Sequence, residues 1–229
     1  FPDINPACAV VTHCGVDRQR FKPASVSEVL ALRQRLNLDR PYFMLVGGKA
    51  GYKNAPMFFE AMKTIPTQNG FKVLVTGNFS ESELHGLETG CDIVVANLTN
   101  DELNAAYTGA LALVYPSKYE GFGLPILEAM ACGCPVISTP WTSLSEVGGS
   151  SVMYANDARS LANAMVEIQR PGTREMLIAA GYEQIEKFRW DTWLDRSRMR
   201  ASRLFGRPRV IASDRRKVSK HHTTCQPEI

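Results

Sequence analysis

The 229-residue sequence predicts an α/β fold with a doubly wound, mostly parallel sheet and helices on both faces. Two observations point there. Five apolar runs, Tyr42–Val46, Phe71–Thr76, Cys91–Ala96, Leu111–Tyr115 and Pro135–Ser138, are continuous rather than alternating, as strands covered on both faces are. Segments with helix-opening signals separate them, and a strand, helix, strand rhythm implies parallel crossovers.

Each element follows in order. After Tyr42–Val46, a loop with three glycines leads to a helix expected over Ala55 to Thr64. After Phe71–Thr76 comes Ser80-x-x-Glu83, the spacing of a capping box, in which a hydroxyl and a carboxylate satisfy each other's backbone donors at a helix start. Cys91–Ala96 is followed by a second such box, Thr99-x-x-Glu102, opening a helix expected to end near Gly109. Leu111–Tyr115 and Pro135–Ser138 bracket a short helix. Pro125 suits its first turn, where the missing N–H costs nothing, and Gly133 suits the position just past the end of Pro125 to Cys132.

Ligands of open parallel sheets bind outside the carboxyl ends of the strands, so the strand-to-helix loops hold the candidate chemistry. The most informative stretch is Glu120-Gly121-Phe122-Gly123-Leu124-Pro125-Ile126-Leu127-Glu128. Gly121 and Gly123 leave room for backbone N–H groups at the positive helix end to meet an anion such as a diphosphate. Glu120 precedes the helix and Glu128 lies one turn inside it. The two carboxylates are thereby expected to flank a bound molecule rather than pair. A second loop, Gly47-Gly48-Lys49-Ala50-Gly51-Tyr52-Lys53-Asn54, forms a flexible cationic lip suited to phosphate. It is neither a Walker A loop nor G-x-G-x-x-G.

Composition bounds the remaining possibilities. With 45% apolar residues the chain can bury one good core, and no apolar stretch approaches the roughly 20 residues of a membrane span. No signal peptide is visible. The six cysteines (8, 14, 91, 132, 134 and 225) show no metal spacing, and buried thiols in a reducing, cytoplasmic compartment is the plain reading. The four histidines form no ligand pattern and no Asp-x-Asp occurs, so no metal is expected. The net charge of +3 resides at the end: from Arg207 on, six Lys/Arg stand against two Asp/Glu, leaving 20 basic and 21 acidic residues over 1–206. No basic face therefore points to nucleic acid. The basic tail, 206–229, lacks periodicity and is expected to be a disordered, solvated end, with peripheral contact to anionic lipid headgroups as the alternative.

The run from Glu120 to Val136, EGFGLPILEAMACGCPV, resembles the E-x7-E signature of family-4 retaining glycosyltransferases (glycosyl transferases group 1) of GT-B fold, written EGFGLPxLEAMAxGxPV. The match spans seventeen residues. The loop from Gly47 to Asn54 is similar to the family's G-x-R-x-x-x-K-N, with Lys53 and Asn54 at the terminal pair and Lys49 near the place of the arginine; lysine cannot form the bidentate fork with phosphate. Tyr115-Pro116-Ser117 matches the family's apolar-Pro-Ser step, and Val10 to Pro23 (VVTHCGVDRQRFKP) resembles the linker into the C-terminal half. Thr142 to Glu146 is similar to a further family segment, with Glu146 an anchor rather than a catalytic group. Phe188 to Trp193 resembles the start of the family's last helix, with Trp190 or Trp193 as packing residues.

The resemblance covers about residues 8 to 205 and implies the donor-binding half of a two-domain enzyme: a linker over 1–24, a nucleotide-sugar-binding domain over 25–205, and the tail. The N-terminal acceptor-binding domain is expected to be missing. It further implies that a nucleotide-diphospho-sugar, UDP- or GDP-linked, is the donor, with no other cofactor. Gly48, Lys49, Lys53, Gly121, Phe122, Gly123 and Leu124 would lie at its diphosphate, Asn97 and Leu98 at its base, and Glu128 at its ribose. Glu120 is the implied catalytic residue, stabilising positive charge at the sugar or acting as a covalent nucleophile. Two other readings stand beside this one: a sugar-nucleotide epimerase of related fold, and a non-catalytic nucleotide-binding module.

Overall fold

The computed structural model describes residues 12–47, 51–65, 70–77 and 92–190. Its six strands are β1 (Tyr42–Val46), β2 (Lys72–Thr76), β3 (Ile93–Ala96), β4 (Leu113–Tyr115), β5 (Val136–Ser138) and β6 (Val152–Tyr154). They form one sheet in the order β3-β2-β1-β4-β5-β6, and every pairing is parallel. The helices are α1 (Val26–Arg35), α2 (Ala55–Thr64), α3 (Asn100–Gly109), α4 (Leu124–Ala131), α5 (Leu144–Gly148), α6 (Ala158–Glu167) and α7 (Thr173–Ile185).

Successive strand residues point to opposite faces, and each face has its own core. Tyr42, Met44, Leu74, Leu113 and Val136 pack with Leu32 of α1, Ala105 to Tyr107 of α3 and Ile126, Leu127 and Met130 of α4. Phe43, Leu45, Val73, Val75, Val114 and Ile137 pack on the other face with Phe58 and Met62 of α2 and Leu161 and Met165 of α6. Burial of both faces is why the central strands read as unbroken apolar runs. β3 departs from that expectation: it is the sheet edge, and Val95 is 42% exposed. Strands β2, β4 and β5 begin one or two residues later than their apolar runs. Pro135 has no N–H for the ladder and serves only as an acceptor, from the Leu113 N–H at 2.9 Å.

Of the predicted caps, Thr99 and Glu102 form the capping box of α3, whereas Ser80 and Glu83 lie outside the described residues. Four helices and a strand went unpredicted: α1, α5, α6, α7 and β6. Two of these helices carry boxes of their own, Ser25 with Glu28 at α1 and Asp157 with Ser160 at α6. β6 is three residues with only one buried, so it lacks the unbroken burial that marks β4 and β5. Residues 12–24 lie on the domain rather than apart from it. Val16 and Phe21 are buried in the α1/α3/α4 core, and the Val16 N–H bonds Phe188 O at 3.0 Å. Trp190 packs against Gly15, where an added Cβ would come within 2.8 Å of the indole; Trp193 lies outside the described residues. Cys132 and Cys134 are free and buried, and burial pushes both thiols up to about 12; Cys14 is free and partly buried.

Candidate active site

The chain turns from building the sheet outward through β2 and β3 to building it through β4, β5 and β6, so β1 and β4 are neighbours with their crossovers leaving in opposite directions. The crevice at such a switch point is where open α/β sheets bind ligands. It brings together the two loops singled out in the sequence and far apart in the chain: the one after Val46 and the one after Tyr115.

Those loops are stitched to each other. The Asn54 amide, buried and in the left-handed region with φ 56, donates to Pro116 O at 3.1 Å, and the Lys118 N–H donates to Tyr52 O at 2.7 Å. The segment after β5 holds the second loop from its other side. Ser143 Oγ donates to Glu120 O at 3.0 Å, and the Glu120 N–H reaches Thr142 Oγ1 at 3.4 Å. Thr142 has φ 54, a conformation that costs a β-branched residue strain and persists only where surrounding contacts enforce it. The backbone of Glu120 is thereby clamped at both its polar groups.

At the centre, Lys53 Nζ donates to Glu120 Oε1 at 2.8 Å and to the Tyr115 hydroxyl at 2.8 Å, while that hydroxyl donates to the same Oε1 at 2.7 Å. The Lys53 and Glu120 side chains are 17% and 12% exposed, at the rim of the core rather than in open solvent. The ammonium also lies 4.9 Å from the Tyr115 ring centroid and 5.3 Å from that of Tyr52. Burial, and the carboxylate accepting its hydrogen bond, push the Tyr115 hydroxyl well above its ordinary range, so it remains a donor at all physiological pH values. Gly47, at φ 80, makes room for this arrangement: a Cβ there would come within 3.2 Å of Lys53 Cε.

Helix α4 begins immediately beyond. Gly123 is its N-cap at φ 105, with no side-chain cap on the first N–H groups, and Pro125 lies in the first turn. An added Cβ on Gly121 would meet nothing within 4 Å, whereas one on Gly123 would come within 2.8 Å of Leu144 Cδ2. One glycine keeps the approach open and the other lets α5 close against the helix. Gly133, at φ 70, follows the helix end as expected. The ring of Phe122 is engaged in packing, with centroids 6.2 Å from His13 and 5.9 Å from Phe188. Leu124 is exposed.

Glu128 has partners of its own. Tyr107 OH donates to Oε2 at 3.4 Å, and burial pushes the carboxyl up, partly offset by the positive charge of Arg20 and by that hydrogen bond. Arg20 was not anticipated; no sequence signal marks a residue of the leading segment as a neighbour of α4. Its main chain is fixed by the Asn104 amide donating to Arg20 O at 2.7 Å, and its guanidinium donates to Asn100 Oδ1 at 2.5 Å. Asn97, exposed, and Leu98, partly buried, follow β3 on the same side of the sheet. Glu146 bonds His13 Nε2 at 2.6 Å, in keeping with an anchoring role. Gly48 and Lys49 lie outside the described residues. Among the described residues no cluster of three or more His, Cys, Asp or Glu could hold a metal ion, and no helix is long and apolar enough to cross a membrane.

Residues 40–170 match the family described as Glycosyl transferases group 1. The chain belongs to that family, and its sheet is that of the GT-B glycosyltransferases. O-antigen chain mannosyltransferase B of Escherichia coli is 31% identical over 199 residues, covering 81% of this chain and 52% of that protein. Among solved structures, the sucrose-phosphate synthase of Thermosynechococcus elongatus superimposes with a TM-score of 0.70 at 27% identity, covering 84% of this chain and 51% of the other. Anabaena HepE, solved in complex with UDP and glucose, superimposes with a TM-score of 0.70 at 22% identity, covering 84% of this chain and 56% of the other. The chain spans about half the length of the curated relatives it matches.

Proposed function

We propose that this chain is the donor-binding half of a retaining glycosyltransferase that moves a sugar from a nucleotide-diphospho-sugar to a glycan, lipid-linked or other acceptor. The observation that carries the reading is the placement of Glu120, Lys53 and the side-chain-uncapped start of α4 together at the sheet's switch point. An ammonium and a helix N-terminus suit a diphosphate, and a carboxylate beside them suits a sugar on which positive charge develops as its bond to phosphate breaks. The diphosphate lies against Lys53 and the N–H groups of Gly123 and Leu124, and Gly48 and Lys49 are donor-binding candidates from the sequence. Glu128 accepts the ribose hydroxyls from one turn further along α4, and Asn97 and Leu98 border the base. Glu120 stabilises the oxocarbenium-like sugar, and the departing diphosphate keeps its charge neutralised without a metal.

The family membership supports the reaction class, and the complex of HepE with UDP and glucose supports a nucleotide-sugar donor. Titration calorimetry of the 229-residue chain against UDP and GDP tests the reading: one of them binds, and absence of binding to both refutes it. Transfer requires a partner half to orient the acceptor, since orientation can supply roughly 7–11 kcal/mol of the barrier. Robust sugar transfer by this chain alone would show that the acceptor site lies within it.

A further inference from the structure

We propose that Lys53 is a cation exchanged between Glu120 and the diphosphate: it neutralises Glu120 in the empty site, and the arriving donor takes it over and frees the carboxylate for the sugar. The inference rests on the donor-binding reading above. Both contacts that the described residues make to the Glu120 carboxylate fall on Oε1, from Lys53 Nζ at 2.8 Å and the Tyr115 hydroxyl at 2.7 Å. With side chains 17% and 12% exposed, neither ion is well hydrated, so each relies on the other while the site is empty. An ammonium so compensated offers little net positive potential to a phosphate. A diphosphate with two negative charges competes for it more strongly than one carboxylate can hold it.

The Tyr115 hydroxyl makes the exchange tolerable. Rooted in the buried end of β4, it keeps its hydrogen bond to Oε1 after Lys53 leaves, while Thr142 and Ser143 hold the Glu120 main chain in place. Glu120 thus becomes an uncompensated, oriented carboxylate only when a diphosphate is seated beside it. An empty site carries no exposed negative charge to repel the incoming donor.

The test is a double-mutant cycle on UDP and GDP affinity in the 229-residue chain, with Lys53→Met and Glu120→Gln made singly and together. If Lys53 must be drawn away from Glu120, its contribution to binding is larger when residue 120 is Gln. Lys53→Met then lowers affinity roughly threefold to tenfold more in the Glu120→Gln background than in the unaltered chain. An equal or smaller loss in that background means that Lys53 stays on Glu120 with the diphosphate bound, and overturns the exchange. Should Lys53→Met fold poorly, the carboxyl carbon resonance of Glu120 in the unaltered chain decides the matter. It shifts on saturation with UDP or GDP if the ammonium leaves, and an unchanged resonance overturns the proposal. Failure of the unaltered chain to bind either nucleotide is a different result and removes the donor-binding reading itself.

Discussion

Glu128, proposed above to hold the ribose, is kept in place at a cost to the empty domain. Its carboxyl is pushed up chiefly by burial, because the apolar side of α4 offers a carboxylate less than water does. Below the unfolded-state value both states are protonated and the residue costs nothing. As pH rises past that value the unfolded chain ionises first, so the fold loses stability until the raised folded value is passed, and the deficit is constant above it. Glu128→Gln removes the deficit. We expect the variant to melt higher than the parent at neutral pH, by about 0.5–2 kcal/mol, with the difference shrinking toward pH 4. The same variant should bind UDP or GDP more weakly, since a charged hydrogen bond contributes about 1.5–3 kcal/mol. Calorimetry and thermal melts at several pH values measure both, and a variant that is less stable at neutral pH would contradict the account.

At the scale of elements, helix starts carry different duties here. Thr99 caps α3 with a reciprocal hydrogen-bonded box, so Thr99→Ala should cost about 1 kcal/mol in urea denaturation without affecting ligand affinity beyond the change in stability. The start of α4 has no such box. Its Gly123 combines φ 105 with close contact to Leu144, and Gly123→Ala should cost roughly 1–3 kcal/mol from backbone strain, with more from the contact at 2.8 Å. That loss should be accompanied by weakened nucleotide binding, because the first N–H groups of α4 would be re-aimed. If Gly123→Ala destabilises the fold and leaves UDP and GDP affinity untouched, the helix start is an architectural feature and not part of the anion site.

For the whole molecule, a ligand that binds only the folded domain stabilises it by mass action, about 2.7 kcal/mol at a hundredfold excess over Kd. UDP or GDP should therefore raise the melting temperature of the chain progressively with concentration. On the proposal that Lys53 and the α4 start address the diphosphate, the corresponding nucleoside should do so far less. Equal shifts from nucleoside and nucleoside diphosphate would place the binding energy elsewhere on the sheet.

The sequence by itself determined the class of the fold and most of the candidate site. Strands buried on both faces must be apolar throughout, so Tyr42–Val46 was legible to the residue. Capping and helix-end chemistry is local, so Thr99 with Glu102, Pro125 and Gly133 marked their helices directly. Even where helices went unpredicted, Ser25 with Glu28 and Asp157 with Ser160 carried the same signal. Only the tertiary structure decided what those residues do to one another. That Lys53 and Tyr115 share one oxygen of Glu120 depends on β1 lying beside β4, that Thr142 is strained to hold the Glu120 backbone depends on β5 lying on the other side of β4, and the positive charge of Arg20 bears on Glu128 through a leading segment folded back on the domain. Strand order is a long-range property, set by how crossovers pack on the two faces of the sheet, and no local pattern of side chains encodes it.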